Sequence, residues 1–299
     1  MPRTTNILDG LEEPEGPVCL DDRSFYIVEM SRARHCVVHV GANGEARDVA
    51  ATAGRPNGLA VDGDGNIWIA EATEGALLCV SPDGQEKRKV AGDADGRFLW
   101  PNDIAFAAGG LLYMTDSGIL DSAFIDGLAI RADFITAPYD GRVYEIDPRQ
   151  GRVLRVLDRG LRFTNGIAFG PDGRLYVAET LSGEIFAYDL GEAAPRRQSF
   201  GNSLIPDDHR PVFKGPDGIK FGADGRLYCA LYGQGAITVL DRDGGLAERL
   251  PLAGEKPTNL AFRLDGNEAI VTEVARGAVE GITMPCAGLP LFYPKGLTD

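Results

Sequence analysis

The sequence predicts an all-β fold, a six-bladed β-propeller with four antiparallel strands per blade. Three observations carry that prediction: one hairpin pattern repeated six times, a spacing that matches a propeller blade, and no helix-period stretch of any length. The six segments align without a gap. They are EGPVCLDDRSFYIVE from Glu15, NGLAVDGDGNIWIAE from Asn57, NDIAFAAGGLLYMTD from Asn102, NGIAFGPDGRLYVAE from Asn165, DGIKFGADGRLYCAL from Asp217 and NLAFRLDGNEAIVTE from Asn259. Each is an alternating apolar run, a Gly/Asp turn and a second alternating run, the pattern of a β-hairpin.

Within each unit the later strands follow in order. The third is read from ALLCVSPDG, GRVYEIDPRQG, EIFAYDLG and AITVLDRDG, and a fourth from EKRKVA and RVLRVL. Successive lead residues are 42, 45, 63, 52 and 42 positions apart, around the period of four-stranded blades. The two long intervals mark insertions near 118–139 and 192–213. Six blades close one ring, so residues 1–299 are expected to form a single domain. Closure needs a strand from one terminus, and both 3–9 and the tail PLFYPKG qualify.

With 44% apolar residues among 299, the chain can build a large core. A net charge of −14 repels nucleic acid and anionic membrane surfaces, so neither is expected as a partner. No apolar run is long enough to span a bilayer. The start, MPRTTNILDG, lacks the apolar stretch of a secretory signal, and a cytoplasmic location is expected. Five cysteines show no CxxC spacing; Cys19, Cys79 and Cys229 lie in alternating apolar runs and are read as small buried hydrophobes. Three histidines are too few and too scattered for a His-based zinc site, and no GxSxG elbow supports a serine nucleophile.

In a propeller the innermost strands line a central channel. Glu15, Asn57, Asn102, Asn165, Asp217 and Asn259 should therefore meet at one mouth, each offering a side-chain oxygen. Asn-Gly is also a common turn pair, but carboxylates at two of six equivalent places repel one another unless a cation offsets them. Fourteen residues after each lead stands Glu29, Glu71, Asp116, Glu179, Leu231 or Glu273. A returning hairpin brings these to the same rim, read mainly as solvated or salt-bridged acids. An oxygen-rich acidic funnel suits one hard divalent cation: Ca²⁺ first, with Mg²⁺, Mn²⁺ and Zn²⁺ as alternatives.

EGPV, PND, NGIAF and PDGIKF, in register from about residue 12 to 280, resemble the gluconolactonase, regucalcin (senescence marker protein) and luciferin-regenerating enzyme family. The resemblance implies a six-bladed propeller with one divalent metal at the channel mouth and, in many members, lactonase activity on a small lactone. It maps metal ligands onto Glu15, Asn165 and Asp217, and a substrate contact close to the metal onto Asn102. Sugar-lactone members carry Arg two residues before that Asn; here the position is Trp100, which can stack on a sugar face, cover an apolar group, or simply pack between blades. Asn57 and Asp116 are further substrate-side expectations, Asp116 as a reserve acid for proton relay.

In the mechanism this implies, Asp217 is the general base and the Asn102 amide donates to the developing oxyanion. Asp103 is expected to point away from the channel by strand alternation. Residues 118–139, with Phe124, Ile125, Ile130 and Phe134, form either a lid or a packed contact. The rival readings are a lyase or isomerase on the same metal site and a metal-dependent binding propeller. The protein is expected as a monomer or small homo-oligomer.

Overall fold

The computed structural model describes residues 4–126 and 129–298. Six four-stranded antiparallel sheets follow one another along the chain. Blade 1 is Pro14–Cys19, Phe25–Glu29, Cys36–Val40 and Ala46–Ala51; blade 2 is Pro56–Val61, Ile67–Glu71, Ala76–Val80 and Glu86–Val90. Blade 3 is Pro101–Phe106, Leu112–Asp116, Gly141–Asp147 and Arg152–Leu161; blade 4 is Thr164–Phe169, Leu175–Glu179, Glu184–Tyr188 and Gln198–Asn202. Blade 5 is Gly215–Phe221, Leu227–Tyr232, Ala236–Leu240 and Leu246–Pro251. Blade 6 is Pro257–Phe262, Glu268–Glu273, Ala278–Thr283 and, as its outer strand, Thr4–Leu8. Each first strand lies against the first strands of both neighbouring blades, which closes the ring around a channel.

The N-terminal segment is thus the closing strand, with Thr4 opposite Ile282 and Asn6 opposite Glu280. The C-terminal segment has a different place. It crosses the far face of the ring, bridging Gly222 with Gly288 in blade 5, setting Phe292 edge-on to Phe169 of blade 4, and accepting the Gly63 N–H of blade 2 at the Pro294 carbonyl. The 192–213 stretch is only partly an insertion. Its QSFGN is the outer strand of blade 4, and the loop proper follows it. Residues 118–139 carry a short helix, Asp121–Phe124, and a two-stranded ladder pairing Ile125 with Ile130.

The apolar core is divided into wedges between adjacent blades. Val28, Val37, Ile67 and Ile69 join blades 1 and 2. Trp68, Leu77, Leu112 and Met114 join blades 2 and 3, and equivalent clusters close the other four junctions. Middle strands are buried on both faces, which is why FYIVE, IWIAE and LYVAE read as nearly continuous apolar runs ending in an acid. Cys19, Cys36, Cys79 and Cys229 are buried free thiols within these sheets. Among the described residues, no helix is long and apolar enough to cross a membrane.

Candidate metal centre at the channel mouth

Every inner strand has a register shift one or two residues from its start, as between Pro56 and Leu59, Pro101 and Ile104, or Thr164 and Ile167. The shift is a bulge, and it turns two consecutive side chains toward the axis where a regular strand would present one. In blades 1, 2, 4 and 5 the second of these is glycine: the next blade's backbone is too close for a Cβ in blades 1, 2 and 4, and the Asn259 side chain is too close in blade 5. A Cβ at Gly58 would stand 2.6 Å from the Asn102 carbonyl oxygen, and one at Gly166 2.3 Å from that of Asp217. The repeated Asn-Gly and Asp-Gly pairs are therefore bulges at the channel mouth rather than turns.

Glu15, Asn57, Asn102 and Asn165 are buried there, and Asp217 keeps a partial opening to the channel. The two amides are fixed from behind. Asn102 Nδ2 donates to Ser117 Oγ (2.9 Å), which donates to the Thr164 carbonyl (2.9 Å). Asn165 Nδ2 donates to Thr180 Oγ1 (3.2 Å), which donates to the Pro216 carbonyl (2.8 Å). Among the described residues, neither amide oxygen, Asn102 Oδ1 or Asn165 Oδ1, has a hydrogen-bond partner, and both are buried. A buried acceptor with no donor is costly unless something positive faces it.

The carboxylates tell the same story. Burial, and then the charge of Asp103, pushes the Glu15 carboxyl up to about 7, against hydrogen bonds from Asn259 and Thr258. Burial, followed by the charges of Glu15 and Asp103, holds Asp217 well above the usual carboxylate range, opposed by a hydrogen bond from Asn165. Two carboxylates that resist ionisation beside two orphaned amide oxygens form an all-oxygen donor set of the kind that Ca²⁺ accepts. The residues fit a divalent cation.

Three features depart from the sequence reading. In blade 6 the hairpin is one residue longer, so Thr258 takes the lead place and Asn259 the bulge place. Pro257 pairs with Glu273 as Pro56 does with Glu71, and Asn259 takes its N–H to Thr272 Oγ1 as Asp103 does to Thr115 Oγ1. Asn259 still serves the site, donating from Nδ2 to Glu15 Oε1 at 3.0 Å. Asp103 does not point away from the channel: its Oδ2 lies 3.6 Å from Lys220 Nζ of blade 5, past the whole of blade 4. The bulge cancels the alternation on which that expectation rested.

The third departure concerns the acids that end the second strands. Glu71 Oε1 accepts the Arg55 N–H at 2.6 Å, Glu179 Oε2 that of Arg162 at 2.6 Å, and Glu273 Oε1 that of Lys256 at 2.6 Å. Asp116 accepts three backbone N–H groups, from Leu99, Trp100 and Gly118, at 2.8, 3.0 and 2.8 Å. Buried and bonded to backbone N–H groups, these carboxylates staple the loop that enters each inner strand. Asp116, expected on the substrate side, gives both carboxylate oxygens to backbone N–H groups around that loop.

One register out from the leads stand Glu13, Arg55, Trp100 and Phe163, each accepting the same backbone hydrogen bond from its second strand. Glu13 and Phe163 hold left-handed backbone angles (φ 54° and 64°), an unfavourable choice for such residues. Trp100 meets Phe124 and Phe163 edge-on at 5.6 and 5.5 Å, and Phe213 joins Phe124, Phe134 and Phe163. Arg55 covers the Trp100 ring at 5.6 Å while its Nη1 pairs with Glu13 at 2.7 Å. The 118–139 insertion thus packs its Phe124 onto an aromatic cluster above the oxygen-lined mouth.

A second acidic group, Glu29, Cys36 and Asp48, lies in blade 1 away from the inner strands. Arg34 bridges its carboxylates at 2.8 and 2.7 Å, and burial pushes the Cys36 thiol up to about 11. That arrangement is already neutralised.

Residues 14–274 match the family described as SMP-30/Gluconolactonase/LRE-like region. The chain belongs to this family. It is 28% identical to the gluconolactonase of Zymomonas mobilis over 72% of its own length and 60% of that protein's. It is 34% identical to protein STRICTOSIDINE SYNTHASE-LIKE 4 of Arabidopsis thaliana over 65% of this chain and 49% of the relative. The chain therefore spans about half the length of the curated relatives it matches. Among solved structures, a gluconolactonase of Xanthomonas campestris superposes with a TM-score of 0.77 at 24% identity, covering 95% of this chain and 90% of the other. A regucalcin described as calcium-binding, from Agrobacterium tumefaciens, gives 0.69 at 19% identity over 97% and 95%. At such identities the structures attest the six-bladed fold.

Proposed function

We propose that the protein is a metal-dependent lactonase that opens the cyclic ester of a small lactone at the channel mouth. The observation that carries this reading is the pair of buried, unpartnered amide oxygens on Asn102 and Asn165 beside Glu15 and Asp217. Lactonases among the family's relatives, from Zymomonas mobilis and Staphylococcus epidermidis, support the reaction class.

Glu15, Asn165 and Asp217 would hold the cation, with Asn102 Oδ1 facing it or the substrate. Once bound, the ion supplies Lewis-acid polarisation of the ester carbonyl and an acidified water. Asp217 accepts the proton of the attacking water at its carboxylate and can return it to the departing alkoxide. One N–H of the Asn102 amide is held by Ser117; the second remains for the developing oxyanion, while Oδ1 stands as an unpartnered acceptor. The Trp100–Phe163–Phe213 wall favours a lactone with an apolar flank over a polyhydroxylated one, because indole and phenyl faces offer area and no hydrogen-bond fork.

The test is a panel of aliphatic, aryl-substituted and sugar lactones, assayed with Ca²⁺, Mg²⁺, Mn²⁺ or Zn²⁺ and with chelator. Ring opening that chelator abolishes and metal restores is the expected result. Cation binding with no turnover on any lactone would instead make the protein a metal-dependent binding propeller.

A further inference from the structure

The residue two places beyond the bulge faces the channel interior and is small in five blades: Val18, Ala60, Ala105, Ala168 and Ala261. These positions are equivalent by pairing, since Val18, Ala60, Ala105 and Ala168 stand opposite Tyr26, Trp68, Tyr113 and Tyr176. In blade 5 the same place, opposite Tyr228, holds Lys220. Its Nζ lies 3.6 Å from Asp103 Oδ2 of blade 3 and 3.4 Å from Asn259 Oδ1 of blade 6. Asn259 in turn donates to Glu15, and the charge of Asp103 acts on both Glu15 and Asp217. Below Lys220 the channel opens into an apolar cavity of about 530 Å³. A single ammonium therefore sits at the boundary between an acidic mouth and an apolar chamber, at a height where the other blades leave room for it.

We propose that Lys220 is a built-in counter-ion for the metal centre, a positioning residue that holds Asp103 and Asn259 and sets how strongly the mouth binds a divalent cation. Three acids converge on the mouth, and without an internal positive charge the metal-free state would relieve their mutual repulsion only by taking up protons. The same ammonium repels an arriving cation, so it stabilises the empty protein and loosens the loaded one. Both effects follow from one charge at one place. The proposal rests on the metal-centre reading for its affinity arm only; the effect on metal-free stability stands without it.

The experiment compares Lys220→Met, Lys220→Arg and Lys220→Met/Asp103→Asn with the native chain. It uses thermal unfolding in chelator and in Ca²⁺, and calorimetric Ca²⁺ titration. Lys220→Met is expected to unfold several degrees lower in chelator and yet to bind Ca²⁺ about tenfold more tightly, which damage to the fold does not produce. Lys220→Arg should restore native values in both, and adding Asp103→Asn should recover the metal-free loss. Unchanged metal-free stability in Lys220→Met, or Ca²⁺ binding that weakens, would overturn the proposal. If Lys220→Met does not fold, Asp103→Asn alone decides: it leaves the ammonium uncompensated, so weaker Ca²⁺ binding supports the proposal and unchanged binding refutes it. A native chain that binds no divalent cation, with Lys220→Met still destabilised, would refute the metal centre and keep the counter-ion.

Discussion

The two ends of the channel are made by the same six strands and could hardly differ more. Near one end, one or two residues inside their starts, the strands carry Glu15, Asn57, Asn102, Asn165, Asp217 and Thr258, and among the described residues some polar atoms there are buried without partners. At the other they finish with Cys19, Val61, Phe106, Phe169, Phe221 and Phe262, which surround an apolar cavity that the C-terminal segment covers with Leu289, Leu291 and Phe292. The apolar end resembles ordinary core and is stable by burial. The polar end is strained, with left-handed Glu13 and Phe163 and with carboxylates held from ionising. Energy gained in the wedges and at the covered end sustains a mouth that would not hold together alone, the usual relation of scaffold to site.

That contrast is open to direct tests. The largest effect should come from Asp217→Ala, which removes both a ligand and the base. We expect lactone turnover to fall by about a thousandfold or more, with the Ca²⁺-induced rise in Tm lost, measured by initial rates and thermal unfolding. Retained turnover would sever the mouth from the chemistry. Deleting residues 287–298 attacks the other end: uncovering several large apolar side chains should cost about 2–5 kcal/mol, seen in urea unfolding. Calcium affinity should be unaffected, and a large change in it would show that the two ends are coupled. Glu71→Ala leaves the backbone N–H groups of Arg55 and Glu74 without their acceptor. It should cost about 1–3 kcal/mol with cation affinity kept, which separates the stapling acids from the binding ones. The smallest effect is expected from Trp100→Arg, about tenfold in relative kcat/KM from aryl-substituted toward polyhydroxylated lactones; an unmoved ratio would make Trp100 purely a packing residue.

Much of the molecule was legible because the hairpin repeat has period two and its apolar faces are buried on both sides. The lead oxygens followed from the register alone. The fourth strand of blade 4 was not legible: QSFGN, exposed or half-buried along its length, lacks an apolar alternation to mark it. Asp103 was misread because in blade 3 the bulge carries no glycine to mark it, and Asn259 because a longer hairpin shifted blade 6 by one place while the gap-free alignment still looked sound. Lys220 was visible as the single lysine where its counterparts are valine or alanine. Reading down that column, rather than along each strand, would have found it.

By itself the sequence determined six hairpins, their order, and an oxygen-bearing residue at the start of nearly every inner strand, since these depend on local alternation and turn chemistry. Tertiary structure alone decided which terminus closed the ring, which acids were spent on backbone N–H groups, and which amide oxygens were left without a donor. Those outcomes depend on what lies across the channel or one blade away, and hydrogen bonds between residues tens or hundreds of positions apart are set by the closed ring, not by any stretch of chain.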